Sequence, residues 1–145
     1  MPETIPPFHL AIEVRDIDEA RAFYGGLLGC PEGRSDSAWV DFNFFGHQLV
    51  CHLSDSYPAS RRHQSANAVD GHAVPVPHFG VVLPMTTWQA LSAELKTAEI
   101  KFAIEPHIRF EGMPGEQATM FFFDPSGNPL EFKAFHDIAS QLFET

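Results

Sequence analysis

Positive charge is scarce in this sequence. Nine lysines and arginines face nineteen aspartates and glutamates, for a formal net charge of −10 over 145 residues. No basic run exceeds the pair Arg61–Arg62. A chain of this sign repels polyanions, which argues against nucleic acid and anionic membrane surfaces as partners, and a small molecule is the better fit. Cysteine is nearly absent. Cys30 and Cys51 form no CxxC motif, allow one disulfide and require none, and suit two buried thiols. No hydrophobic run reaches the length of a membrane span, and MPETIPPFHL lacks the basic-then-apolar order of a signal peptide. A cytoplasmic protein in a reducing compartment is the expectation. Tyrosine occurs only at Tyr24 and Tyr57, whereas phenylalanine occurs 14 times and hydrophobic residues make up 44%. That composition supports a buried core in a chain of single-domain length.

Alternation marks the first element. In FHLAIEV (8–14), Phe8, Leu10, Ile12 and Val14 alternate with His9, Ala11 and Glu13, which predicts a half-buried strand with His9 on the less apolar side. Asp16, with Glu19 three residues on, predicts a capped helix start, and Ile17, Ala20, Phe23, Tyr24, Leu27 and Leu28 keep helical spacing until Gly29. AWVDFNFF and HQLVCHL, parted by Gly46, read as two strands. Residues 54–76 are polar and read as a linker or surface loop.

The pattern then restarts. PHFGVVL (77–83) predicts a strand carrying His78, and Thr86 with Gln89 can open a helix whose apolar face holds Trp88, Leu91, Leu95 and Ala98. KFAIEPHIRF reads as an edge or bulged strand because of its proline. ATMFFF and PLEFKAF are strands around a PSGN turn, and DIASQLF suits a short final helix. The order is βαβββ twice, the second strand of the first copy being faint. The expected organisation is one domain over 1–145, with module one at about 8–53, the linker at about 54–76, module two at about 77–135 and a tail at 136–145.

Each strand set has one greasy side and one side with a polar group. Aligning Gly46 with Gly127 gives Gln48, Val50 and His52 the parity of Glu131. His9, His78 and Glu131 then form a candidate metal set, since two imidazoles and one carboxylate with open positions suit Fe(II). Zinc, nickel or manganese accept the same donors. A single strand histidine is more often a core or rim residue than a ligand. Glu131 between Leu130 and Phe132 is the stronger signal, because a carboxylate among apolar neighbours is costly unless paired. His52 can be a ligand, a nearby acid/base or a cavity histidine, and Gln48 is a weaker candidate. His107 and Arg109 can bind a substrate carboxylate or move protons, or be ordinary edge-strand polar residues. His47 reads as structural, Tyr24 as packed, and His63 and His72 as solvated.

FHLAIEVRDIDEARAFYGGLLG, VPHFGVVL and DPSGNPLEF together resemble the vicinal oxygen chelate superfamily, which includes glyoxalase I, fosfomycin- and bleomycin-resistance proteins, methylmalonyl-CoA epimerase and type I extradiol dioxygenases. The resemblance spans residues 8–135. FNFFGHQLVCHL and RFEGMPGEQATMFFFDPSGNPLEFKAF resemble a bacterial branch described as extradiol-dioxygenase-like. It implies an α+β fold of tandem βαβββ modules forming an open, cup-shaped mixed sheet, and a homodimer. His9 matches the first-strand ligand, His78 the fifth-strand ligand and Glu131 the last-strand ligand. His52 best matches the fourth-strand Glu or Gln ligand of glyoxalases, and this departure favours a three-ligand site. The implied activity is a metal-dependent dioxygenase acting on a small catechol-like or vicinal-oxygen substrate, with His52, His107 and Arg109 as catalytic residues. The alternatives are a glyoxalase-type isomerase or lyase, a fosfomycin-type transferase, and a metal-free drug-binding protein. Extradiol enzymes use a His with a Tyr, and neither Tyr24 nor Tyr57 lies in a matching motif.

Overall fold

The computed structural model describes residues 4–54, 65–69 and 72–145, with the backbone alone for 65–69, 72 and 73. The chain divides into two compact units, Met1–Arg62 and His63–Thr145, each built on one four-stranded mixed sheet. The fold is α+β with two βαβββ-type sheets, as the repeated pattern predicts.

In the first unit, β1 (His9–Val14) pairs in parallel with β4 (His47–Leu53), which continues antiparallel to β3 (Trp39–Phe44) and then β2 (Glu32–Asp36). The helix starts where expected. Asp16 is extended, and its carboxylate accepts the Glu19 amide at 2.7 Å. Glu19 does not return the bond of a capping box; Arg15 holds both its oxygens at 2.7 and 2.8 Å. After α1 (Ile17–Ala20) the chain widens into π-helical turns over Arg21–Leu27, where Leu28 N–H reaches back five residues to Phe23 O. The low-propensity pair Gly25–Gly26 sits in this stretch. The predicted apolar face survives the widening. Ile17, Ala20, Phe23, Tyr24 and Leu28 are buried, and Tyr24 lies against Phe42 and Phe44 of β3. Each such buried aromatic contributes about 2–3 kcal/mol. Cys30 and Cys51 are free and buried, and burial pushes the Cys30 thiol up to about 11, so it is no nucleophile at neutral pH.

The second unit repeats the order. β7 (Val82–Pro84) lies parallel to β10 (Pro129–Phe135), followed by β9 (Gln117–Phe123) and β8 (Phe102–Arg109). β8, with Pro106, is the edge strand and its pairing shifts register twice, as a proline-bearing strand should. Helix α2 (Met85–Thr97) buries Trp88, Leu91 and Leu95 and donates Trp88 Nε1–H to the Phe132 carbonyl at 3.0 Å. Its N-cap is Pro84, not Thr86, and no side chain caps it. The tail forms the short helix α3 (Ile138–Gln141).

The DPSGN segment is explained by one buried side chain. The Asp124 carboxylate accepts the amides of Ser126 and Asn128 and the Asn128 side-chain N–H at 2.8–2.9 Å, while Gly127 supplies φ +84°. This turn sets where β10 begins, and so where Glu131 stands.

The linker expectation changes as well. Part of the polar stretch 54–76 is a hairpin, β5 (Ser65–Val69) with β6 (His72–Val76), whose Val74 packs with Ile104 and Phe121. Its first strand, SANAV, is small and polar, which hid it from a reading based on apolar alternation. Tyr57, His63 and the His72 side chain lie outside the described residues.

A candidate metal centre on the second sheet

His78 precedes Phe79, which bridges in parallel to Leu130. Phe79 donates to Pro129 O and accepts from the Glu131 amide at 2.8 Å, so the segment entering β7, which becomes regular strand only at Val82 and not from residue 77 as expected, lies directly against the start of β10. This approach brings His78 Nε2 to 3.4 Å from Glu131 Oε1. Both side chains are largely enclosed, at 27% and 11% exposure.

The surrounding bonds fix what each atom offers. His78 Nδ1 lies 2.8 Å from the Pro75 carbonyl, which can only accept, so Nδ1 carries the proton and Nε2 presents a lone pair in the neutral ring. Thr119 Oγ1 donates to Glu131 Oε2 at 2.7 Å and leaves Oε1 toward His78. A lone pair and a carboxylate oxygen thus face each other. Two such atoms offer a cation a pair of donors already turned toward each other. The ring of Phe121 stands edge-on to His78 at 5.1 Å and keeps one side of the pair apolar.

In the first unit, His9 holds the place on β1 that His78 holds before β7. Its Nδ1 lies 2.7 Å from Gln48 Oε1, and Gln48 Nε2 donates to Asp41 Oδ2 at 3.3 Å. Asp41 accepts only, so the amide orientation is set, and His9 Nδ1 is the donor to Gln48. Like His78, His9 is therefore held with Nε2 as its lone-pair nitrogen. Gln48 was the weaker candidate in sequence; its partner on β3 could not be read without the β3–β4 register.

The register also corrects the expected fourth-strand match. Leu10 pairs with Leu49 as Phe79 pairs with Leu130. The residue after each partner is Val50 in one module and Glu131 in the other. Val50, buried and apolar, occupies the position equivalent to Glu131, and His52 lies two residues farther along, opposite Glu13 and Trp39. His52 shares the parity of Val50, and parity alone does not choose among Gln48, Val50 and His52.

His107 pairs with Thr119, and Arg109 with Gln117. Both therefore lie on the sheet face that carries Glu131. His107 Nδ1 is 2.9 Å from the Glu105 carbonyl, and the Arg109 guanidinium sits 5.0 Å over the Phe110 ring. His47 accepts the Phe8 amide through Nδ1 at 2.9 Å and is structural, as expected. Among the described residues, no group of three or more His, Cys, Asp or Glu side chains is assembled. The pair brought together is His78 with Glu131.

Comparison with known proteins gives the same grouping. Residues 7–132 match the model of the glyoxalase/bleomycin resistance protein/dioxygenase superfamily. The chain is 37% identical to a glyoxalase/bleomycin resistance protein/dioxygenase from Alicyclobacillus acidocaldarius, over 96% of this chain and 98% of that one, with a TM-score of 0.73. The fosfomycin resistance protein FosX of Listeria monocytogenes is 16% identical over 93% and 95% of the two chains (TM-score 0.64). A lactoylglutathione lyase from Agrobacterium tumefaciens is 17% identical over 100% of both (TM-score 0.60). These two share the fold alone. A search of curated proteins finds no match. The match to the family model over most of the chain, with the 37% identical relative, shows that this chain belongs to the glyoxalase/bleomycin resistance protein/dioxygenase superfamily.

Proposed function

We propose that this chain is a metal-dependent dioxygenase acting on a small catechol-like or vicinal-oxygen substrate, with His9, His78 and Glu131 as the metal donors. The observation that carries this reading is the His78–Glu131 pair, a fixed imidazole lone pair turned toward a fixed carboxylate oxygen in a largely enclosed place. His9 is held by the same device, its Nδ1–H engaged and its Nε2 available as a donor. Val50, where Glu131 has its counterpart, supplies no further donor and leaves two histidines and one carboxylate, the set suited to Fe(II). When bound, the ion supplies Lewis acidity and a template for two adjacent substrate oxygens.

In this reading the chain's own residues orient the substrate and move protons. His107 and Arg109 share the Glu131 face, His107 as proton carrier and Arg109 as a guanidinium for an acidic group. His52, on the His9 side of β4, is the other proton carrier. The Fe(II)-loaded protein is expected to consume oxygen when catechols are added. No uptake across a broad catechol panel contradicts the dioxygenase reading. Turnover without oxygen, supported by zinc, nickel or manganese, moves the assignment to an isomerase or transferase.

Gln48 provides a finer prediction. Gln48→Leu removes the acceptor that holds His9, and metal affinity is expected to fall about 10- to 100-fold. Competition with a chromophoric chelator measures it, and an unchanged affinity removes His9 from the donor set. We also propose that the protein works as a homodimer, because Phe110 and Met113 of the second unit remain 49% and 63% exposed. Light scattering should give twice the 16.2 kDa chain mass, and a monomer excludes it.

A further inference from the structure

The cleft that holds the His78–Glu131 pair contains one more charged residue. Gly80, Lys133 and Leu142 of the tail line it together with the pair. Lys133 follows Glu131 by two residues on β10, so both side chains leave the same face of the sheet. It is partly buried, and among the described residues no carboxylate is within ion-pair distance of it. Arg15 and Arg21, by contrast, are paired with Glu19, Asp18 and Glu32.

The sheet register places a second cation, Arg109, on the same face. His107, Thr119 and Lys133 form one cross-strand row, adjacent to the Arg109–Gln117 pair. With so few cations in a chain of net charge −10, their placement has consequences. The field of the whole protein repels anions. A local ammonium inside a cleft offsets that repulsion over a short range, where the low-dielectric walls strengthen it.

We propose that Lys133 is a substrate-binding residue, and that the substrate carries a carboxylate beside the two oxygens that meet the metal. This rests on the metal reading of His78 and Glu131. It adds the substrate's charge, which that reading leaves open.

The test uses Co(II)-loaded protein and two chelators of the same shape, 3,4-dihydroxybenzoate and the neutral 3,4-dihydroxybenzamide, followed through the cobalt visible spectrum. The wild type should bind the benzoate about tenfold more tightly than the amide, the size of one well-placed charge pair. Lys133→Met should bring the ratio close to one by weakening the benzoate alone, and Lys133→Arg should keep it. Comparing ratios between variants cancels the intrinsic difference between the chelators. An unchanged ratio in Lys133→Met overturns the proposal and leaves the metal reading standing. Failure of Co(II) to bind overturns both.

Discussion

Gly80→Ala should lose at least about 3 kcal/mol of stability in urea unfolding, a large effect for a single methyl group. A Cβ built on Gly80 would collide with the carbonyl oxygen of Glu131. The obstruction is backbone, so no rotamer change relieves it. Three bonds depend on the same approach: Phe79 N–H to Pro129 O, Glu131 N–H to Phe79 O and Lys133 N–H to Val81 O. Moving the strand outward to admit the methyl would break these bonds and carry His78 away from Glu131. Gly26→Ala is the control. Its Cβ would meet nothing within 4 Å and its backbone lies in a helical stretch, so it should be neutral or stabilising by up to about 1 kcal/mol. Similar stabilities for the two variants would show that the close approach of the strands is not required.

Glu131→Gln should lower metal affinity by at least about 100-fold, while the fold holds. The amide keeps the shape of the side chain and can still accept from Thr119 Oγ1. It removes the negative charge opposite His78 Nε2, which a dication requires. A neutral amide can also turn its NH2 toward Nε2, satisfying the imidazole lone pair with no cation present. The variant should therefore be as stable as the metal-free wild type, and only the metal-loaded wild type should gain stability from the ion. Thermal melts with and without metal separate these two states. Equal metal-induced stabilisation in Glu131→Gln and wild type would show that the carboxylate is not a donor.

Much of this arrangement is legible in the sequence because it follows from short-range rules. Alternation in FHLAIEV and PLEFKAF assigns faces, and the repeat places His9 and His78 at matching points. Glu131 stands out because its strand neighbours are apolar. What escapes depends on register or on close approach. β2, EGRSD, is exposed along its whole length and carries no apolar face to detect. Parity left Gln48, Val50 and His52 equivalent, and the pairing of Leu10 with Leu49 shows that Val50 stands in the place of Glu131. Thr119 is one polar residue in an apolar run, and its bond to Glu131 crosses strands diagonally. Gly80 looks like any strand glycine until the Glu131 carbonyl is seen against it. Lys133 reads as a solvated strand lysine until the cleft is drawn around it.

The central claim is that His78 and Glu131 are metal donors. The most direct measurement is metal content by mass spectrometry after anaerobic expression with mixed metals, wild type beside Glu131→Ala. The account predicts about one iron per wild-type chain and none in the variant. A wild-type protein that takes up no metal, or a variant that retains it in full, would contradict the account.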